Sequence, residues 1–228
     1  MSTDGRTTGA PLATRRVTMR FLLALTLFAS ACTSDPPTGD AGYDSVRDRL
    51  SDGPTRLFVG QDASSGSITA RRWTTNGWLE GVTAVTVEAG ELSAKVDARG
   101  TLTVDKLVIE LAPIEIPEDV FKKPAQLDDV RISLATPASA MATWAGDDDA
   151  TATLTMMLDF DWAIRVNGGK TPLATQHLPP IMIDVALTGA GDHVDAAMSV
   201  HAAGELWNWA GLLEMRSLDL TLAAGTVD

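Results

Sequence analysis

The chain is nearly devoid of cysteine, with Cys32 alone among 228 residues. That excludes an internal disulfide and any metal site built on paired thiolates. Aromatic residues make up only 5%, although six of them are Trp, so a core has to be assembled mainly from Ala, Val, Leu, Ile and Met. Positive charge is also in short supply. Eighteen Lys and Arg stand against thirty Asp and Glu, a net charge of −12. Residues 1–31 hold Arg6, Arg15, Arg16 and Arg20 against Asp4, a net of +3, which leaves −15 for everything after them. Such a surface repels nucleic-acid phosphates and anionic head groups, so nucleic acid is not an expected partner. Finally, no apolar run reaches the ~20 residues that a membrane-crossing helix needs.

What is present suits a globular protein. The apolar fraction is 45% and the charged fraction 21%, which argues against disorder over most of the length. A chain this long holds one domain or two small ones. Its N-terminal region has a distinct grammar. Arg15, Arg16 and Arg20 precede the apolar run Phe21-Leu22-Leu23-Ala24-Leu25-Thr26-Leu27-Phe28, and small residues Ala29-Ser30-Ala31 lead into Cys32. Basic, apolar and small segments in that order form a secretory signal. Translation can start at Met1 or at Met19, the second giving a compact signal. Thr14-Arg15-Arg16-Val17 faintly resembles a twin-arginine export motif, but its apolar partners are out of spacing.

The stretch Ala29-Ser30-Ala31-Cys32 resembles the lipobox of bacterial lipoproteins, departing from it at Ala29, where Leu is commoner. The resemblance covers about the first 35 residues. It implies a diacylglyceryl group on the Cys32 sulfur, cleavage just before that residue, and N-acylation of the new terminus. The alternative is an ordinary cleavable signal with a coincidental thiol. Acyl chains contribute about 0.8 kcal/mol per buried methylene, so two or more hold a protein stably at a bilayer. Thr33 follows the cysteine where Asp would retain a lipoprotein in the inner membrane, so by the enterobacterial sorting rule the resemblance implies a bacterial cell envelope protein of the outer membrane.

Residues 1–31 thus read as a signal, 32–54 as a flexible tether rich in Asp, Gly, Pro and Ser, and 55–228 as one antiparallel β domain. Tyr43 to Leu50 allows a turn or two of helix, and Asp119 to Lys123 another. Elsewhere apolar residues alternate. From Ala150 to Val166 every even position is apolar, a period of two that no helix can produce. Unbroken, that run would span roughly 56 Å, too long for a common strand, which predicts a bend near Met156-Met157. Leu102 and Val104 are out of phase with Leu107, Ile109 and Leu111, which predicts a bulge at Asp105-Lys106. Gly189-Ala190-Gly191-Asp192 marks a hairpin. The expected fold is all-β, an antiparallel barrel, half-barrel or sandwich of roughly eight to ten strands with little helix.

Chemistry is harder to find. There is no nucleophile elbow, phosphate loop, His-Glu-x-x-His pair or dinucleotide fingerprint, so no enzyme activity, cofactor or metal is expected. His193 and His201 share a strand face roughly 26 Å apart, too far to hold one ion. Asp147-Asp148-Asp149 has the oxygen ligands of a calcium site but not the rest of the loop, and reads more simply as a solvated acidic tip. Asp159 and Asp161 are too parallel for a glycosidase pair without a partner across a cleft. Trp207-Asn208-Trp209 puts two indoles on one face, as core anchors or as a stacking rim. Trp73 and Trp78 flank a Thr74-Thr75-Asn76-Gly77 turn beside Arg71-Arg72 and read as core. The expected partners are therefore the membrane through a lipid on Cys32, and either an apolar small molecule or lipid carried inside the barrel or an envelope protein meeting a filled sandwich.

Overall fold

The computed structural model describes residues 42–209 and 213–227, with side chains 205–209 outside that description. The signal, Cys32 and the first part of the tether also lie outside it. The chain opens with a short helix, α1 (Val46–Ser51), followed by β1 (Thr55–Val59) and the hairpin of β2 (Ser65–Thr74) and β3 (Gly77–Val85). Then come β4 (Val87–Val96), β5 (Thr101–Leu111), β6 (Ile114–Ile116), a helical turn α2 (Glu118–Phe121) and β7 (Ala125–Leu134). Short strands β8 (Ala138–Met141) and β9 (Thr143–Trp144) lead to β10 (Ala150–Met156) and β11 (Leu158–Val166). The fold ends with β12 (Gly169–Pro172), β13 (Gln176–His177), β14 (Ile181–Ala190), β15 (His193–Trp209) and β16 (Leu213–Gly225).

All sixteen strands among the described residues belong to one antiparallel sheet. Its main hydrogen-bonded order is β12-β11-β7-β5-β4-β1-β16-β15-β14-β10-β9, which does not close into a ring among the described residues. The covalent chain joins the two ends instead. β10 pairs with β14 in one wing, β11 pairs with β7 in the other, and only Met157 separates them. A second corner lies at Thr86, where β3, paired with β2, becomes β4, paired with β1 and β5. Strands that switch partners at a bend are how sheets packed at a steep angle are held together.

The alternating pattern explains the inside. Ala150, Ala152, Leu154, Met156, Leu158, Phe160, Trp162 and Ile164 are all buried, so the corner at Met157 turns the chain without changing which residues face inward. Met157 itself is exposed. The bulge sits where the phase shift placed it: Ser93 pairs with Lys106 and Ala94 with Val104, leaving Asp105 unpaired. A second register shift, between Asp161 and Ala163, buries Ala163 as well as its neighbours.

Two expectations need correction. Sixteen strand segments replace the eight to ten expected. Bends at Thr86 and Met157 divide long runs, and pieces of two to four residues such as β9, β12 and β13 are too short to show a period. The tether also ends earlier than residue 54, because Val46 and Leu50 on α1 are fully buried. α1 packs on both β4 and β14, strands that β1, β16 and β15 separate in the sheet order. The helix therefore bridges one end of the curled sheet.

Candidate functional site

The interior is the first place a ligand could sit, and its side chains meet. Leu57, Leu92, Ile109, Leu154, Phe160, Ile183 and Leu222 come from both wings, and each is 0% exposed. A lumen large enough for water would leave accessible surface on the residues lining it. They form one continuous apolar cluster with α1 at its edge.

The outward face is mostly polar, with Met141 and Met182 as exposed exceptions. Thr151, Thr153, Asp184, Asp195, Ser199, His201, Asp219 and Thr221 point away from the core on β10 and β14 to β16. That is the reverse of a lipid-spanning barrel, whose outer band is apolar. A shallow groove of about 500 Å³ crosses this face between Met141, Thr153, Ala186, Ala197 and Thr221. Its floor is made of small side chains, and none of its residues brings a charge other than Asp184.

Each histidine finds an aspartate on this surface. His177 Nδ1 lies 2.6 Å from Asp159 Oδ1 across β13 and β11. His201 is bonded to Asp219 across β15 and β16. His193 Nε2 is 3.2 Å from Asp195 Oδ1. The structure keeps the three apart, and among the described residues no cluster of three His, Cys, Asp or Glu could hold a metal. Asp159 and Asp161 each have a separate partner, His177 across the sheet for the first and, for the second, Thr175 in the loop before β13, whose Oγ1 donates at 2.5 Å. They do not face a cleft together.

The acidic tip has a structural use that its composition did not disclose. Asp148 Oδ1 accepts the N–H of Val46, and the Asp147 carbonyl accepts that of Arg47, both in the first turn of α1. A carboxylate is favoured there by the unpaired N–H groups and partial positive charge of a helix start. Just upstream, the Tyr43 N–H donates to Asp192 Oδ1 at 2.9 Å, and its hydroxyl donates to Asp52 Oδ2 at 2.5 Å. The Arg49 guanidinium covers the Tyr43 ring at 4.7 Å. The chain thus leaves the domain at a fixed point, beside the β14–β15 turn.

The tryptophans divide. Cross-strand register sets Trp207 opposite Met215 and Trp209 opposite Leu213, and both partners lie on the core face. The Trp207 and Trp209 side chains themselves lie outside the described residues. Trp73 and Trp78 pair directly across β2 and β3, but contrary to expectation they are 57% and 43% exposed. Their rings meet edge to face at 5.1 Å. Arg71 stacks on Trp78 at 3.8 Å while its Nε donates to Glu214 Oε2 at 2.8 Å. A hairpin tip has no second layer to cover its outer face, which is why the apolar pair stays in solvent.

No family model matches the chain, and no curated protein matches it. Among solved structures, the attachment invasion locus protein Ail of Yersinia pestis, in complex with the heparin analogue sucrose octasulfate, aligns with 76% of this chain and 99% of its own at 7% identity, with a TM-score of 0.37. At that level the likeness carries no functional argument.

Proposed function

We propose that this chain is a lipid-anchored protein of the bacterial cell envelope, held by Cys32 in the outer membrane, whose β domain is a filled structural or interaction module. The observation that carries the second half is the 0% exposure of the side chains that would have to line a lumen. A carrier of an apolar molecule needs inward surface that the molecule can touch, and here those residues touch one another. The anchor rests on the sequence around Cys32, and the pinned exit at Tyr43 gives a tether a firm point from which to hold the domain.

Two measurements test the proposal. Mass spectrometry of the N-terminal peptide from cell membranes should show a triacylated Cys32, and Cys32→Ser should leave the protein unacylated. An unmodified thiol in the wild-type protein would overturn the anchor. Organic extraction of the purified domain should yield no stoichiometric lipid. Recovery of one lipid per chain would instead establish the carrier reading.

A further inference from the structure

We infer that the β2–β3 hairpin tip, through Trp73 and Trp78, docks on the lipid bilayer that carries the anchor. The inference rests on the lipid-anchor reading and adds a second point of contact to it. In a protein with so few aromatics, two exposed indoles at one tip are joined on the same strand face by Val82, which is 65% exposed. They sit one residue behind the Thr74-Thr75-Asn76-Gly77 turn, so a tip entering the headgroup layer brings the indoles to the depth where amphipathic rings are most favourable, about 5–10 Å into the interface.

Charge points the same way. α2 packs against β2 and β3, and at this end Arg71, Arg72, Lys122 and Lys123 are balanced by Glu80, Glu118, Asp119 and Glu214. The opposite end, where the tether leaves, carries Asp48, Asp52, Asp147, Asp148, Asp149 and Asp192 against Arg47 and Arg49 alone, and so keeps a negative excess. A bilayer bearing anionic lipid therefore meets least repulsion at the tryptophan end. A sugar-stacking platform fits less well. Such a platform needs a free, flat ring face, whereas Arg71 covers one face of Trp78 and the two rings stand 69° apart.

Chain length allows both contacts. β16 and β2 run from the tether end to the tip, and at ~3.3 Å per residue the path from the Asp192 turn to Thr75 is roughly 50 Å. The eleven-residue span from Cys32 to Tyr43 reaches about 40 Å at most when fully extended. The two lengths are of the same order, so an anchor at Cys32 leaves the tip within reach of the same bilayer.

The test uses tryptophan fluorescence of the full-length lipidated protein on phosphatidylethanolamine–phosphatidylglycerol vesicles containing a headgroup nitroxide lipid. Residues 1–41 contain no Trp, so quenching reports on the domain alone. The wild type should be quenched about twofold more than W73A/W78A, because removing the two indoles removes the fluorophores nearest the label. A second variant, T75D/N76D, keeps all six Trp and both strands intact but places charge at the tip, and it should lose the same excess quenching. Equal quenching of wild type and T75D/N76D, with all proteins floating on the vesicles, would overturn the docking and leave the anchor standing. Failure of the wild type both to float and to be quenched would overturn both.

Discussion

Asp148 accepts the N–H of Val46 at 3.1 Å although 102 residues separate them in the chain. The bond fastens the first turn of α1 to the loop before β10, at the end of the sheet that the helix bridges. Removing the acceptor leaves a helix-start N–H in a part-buried place without its partner. Asp148→Ala should therefore cost about 1 kcal/mol, and Asp148→Asn, which keeps an acceptor oxygen, less. Urea unfolding of both variants would check the order.

Leu50, on the same helix, is 0% exposed. Leu50→Ala should lower stability by about 2–5 kcal/mol, as other large-to-small changes in cores do. If residues 32–54 were a loose tether throughout, the substitution would be silent in a thermal melt.

Gly189 lies at the end of β14 where the backbones of a hairpin approach. An added Cβ would stand 2.1 Å from the His193 carbonyl oxygen and 3.0 Å from Val46 Cγ2, at φ +157°. Gly189→Ala should destabilise the fold by about 1–3 kcal/mol through that clash. Gly146 at φ +86° has open space around its Cβ position, so Gly146→Ala should cost less, through backbone strain alone. Chemical denaturation of the two variants side by side would compare collision with strain.

Asp97 closes the turn between β4 and β5. Its Oδ1 accepts the backbone N–H of Thr101 at 2.9 Å and that of Arg99 at 2.8 Å. The Thr101 hydrogen bond is the main reason its carboxyl is held below the ordinary aspartate range. Because the folded state favours the charged form, this contribution is complete above the unfolded-state pKa and disappears as pH falls through the lower folded-state value. Stability measured from pH 6 down to pH 2 should fall less steeply in Asp97→Asn than in the wild type.

Asp128 is buried, and its Oδ2 accepts from Arg165 Nε at 2.7 Å. Truncating the arginine would leave the carboxylate shielded from water without its cation. Arg165→Ala should cost about 2 kcal/mol or more, whereas Asp128→Asn should cost less, because no charge is left stranded. Differential scanning calorimetry of the single and double variants would give the coupling.

The period of two between Ala150 and Val166 was enough to assign strands, to say which side chains face inward, and to place the bend at Met157. The phase slip between Val104 and Leu107 was enough to place the bulge at Asp105. Turn chemistry at Gly191-Asp192 was equally legible. The Asp147–Asp149 tip was not, because acidic residues look alike whether they meet water, a metal or a helix start 102 residues away. The exposure of Trp73 and Trp78 is not legible in the sequence for a related reason. Large apolar side chains are usually buried, and only the absence of a covering layer over the hairpin tip leaves these two in solvent.

Sequence by itself determined the local rules of this domain: strands that alternate, and an apolar side for each. Those features depend on neighbours a few residues apart, which are written in order along the chain. Whether the apolar sides would meet or enclose a space was decided by tertiary structure alone. The corners at Thr86 and Met157 bring the two wings together, and side chains distant in sequence then fill the volume between them.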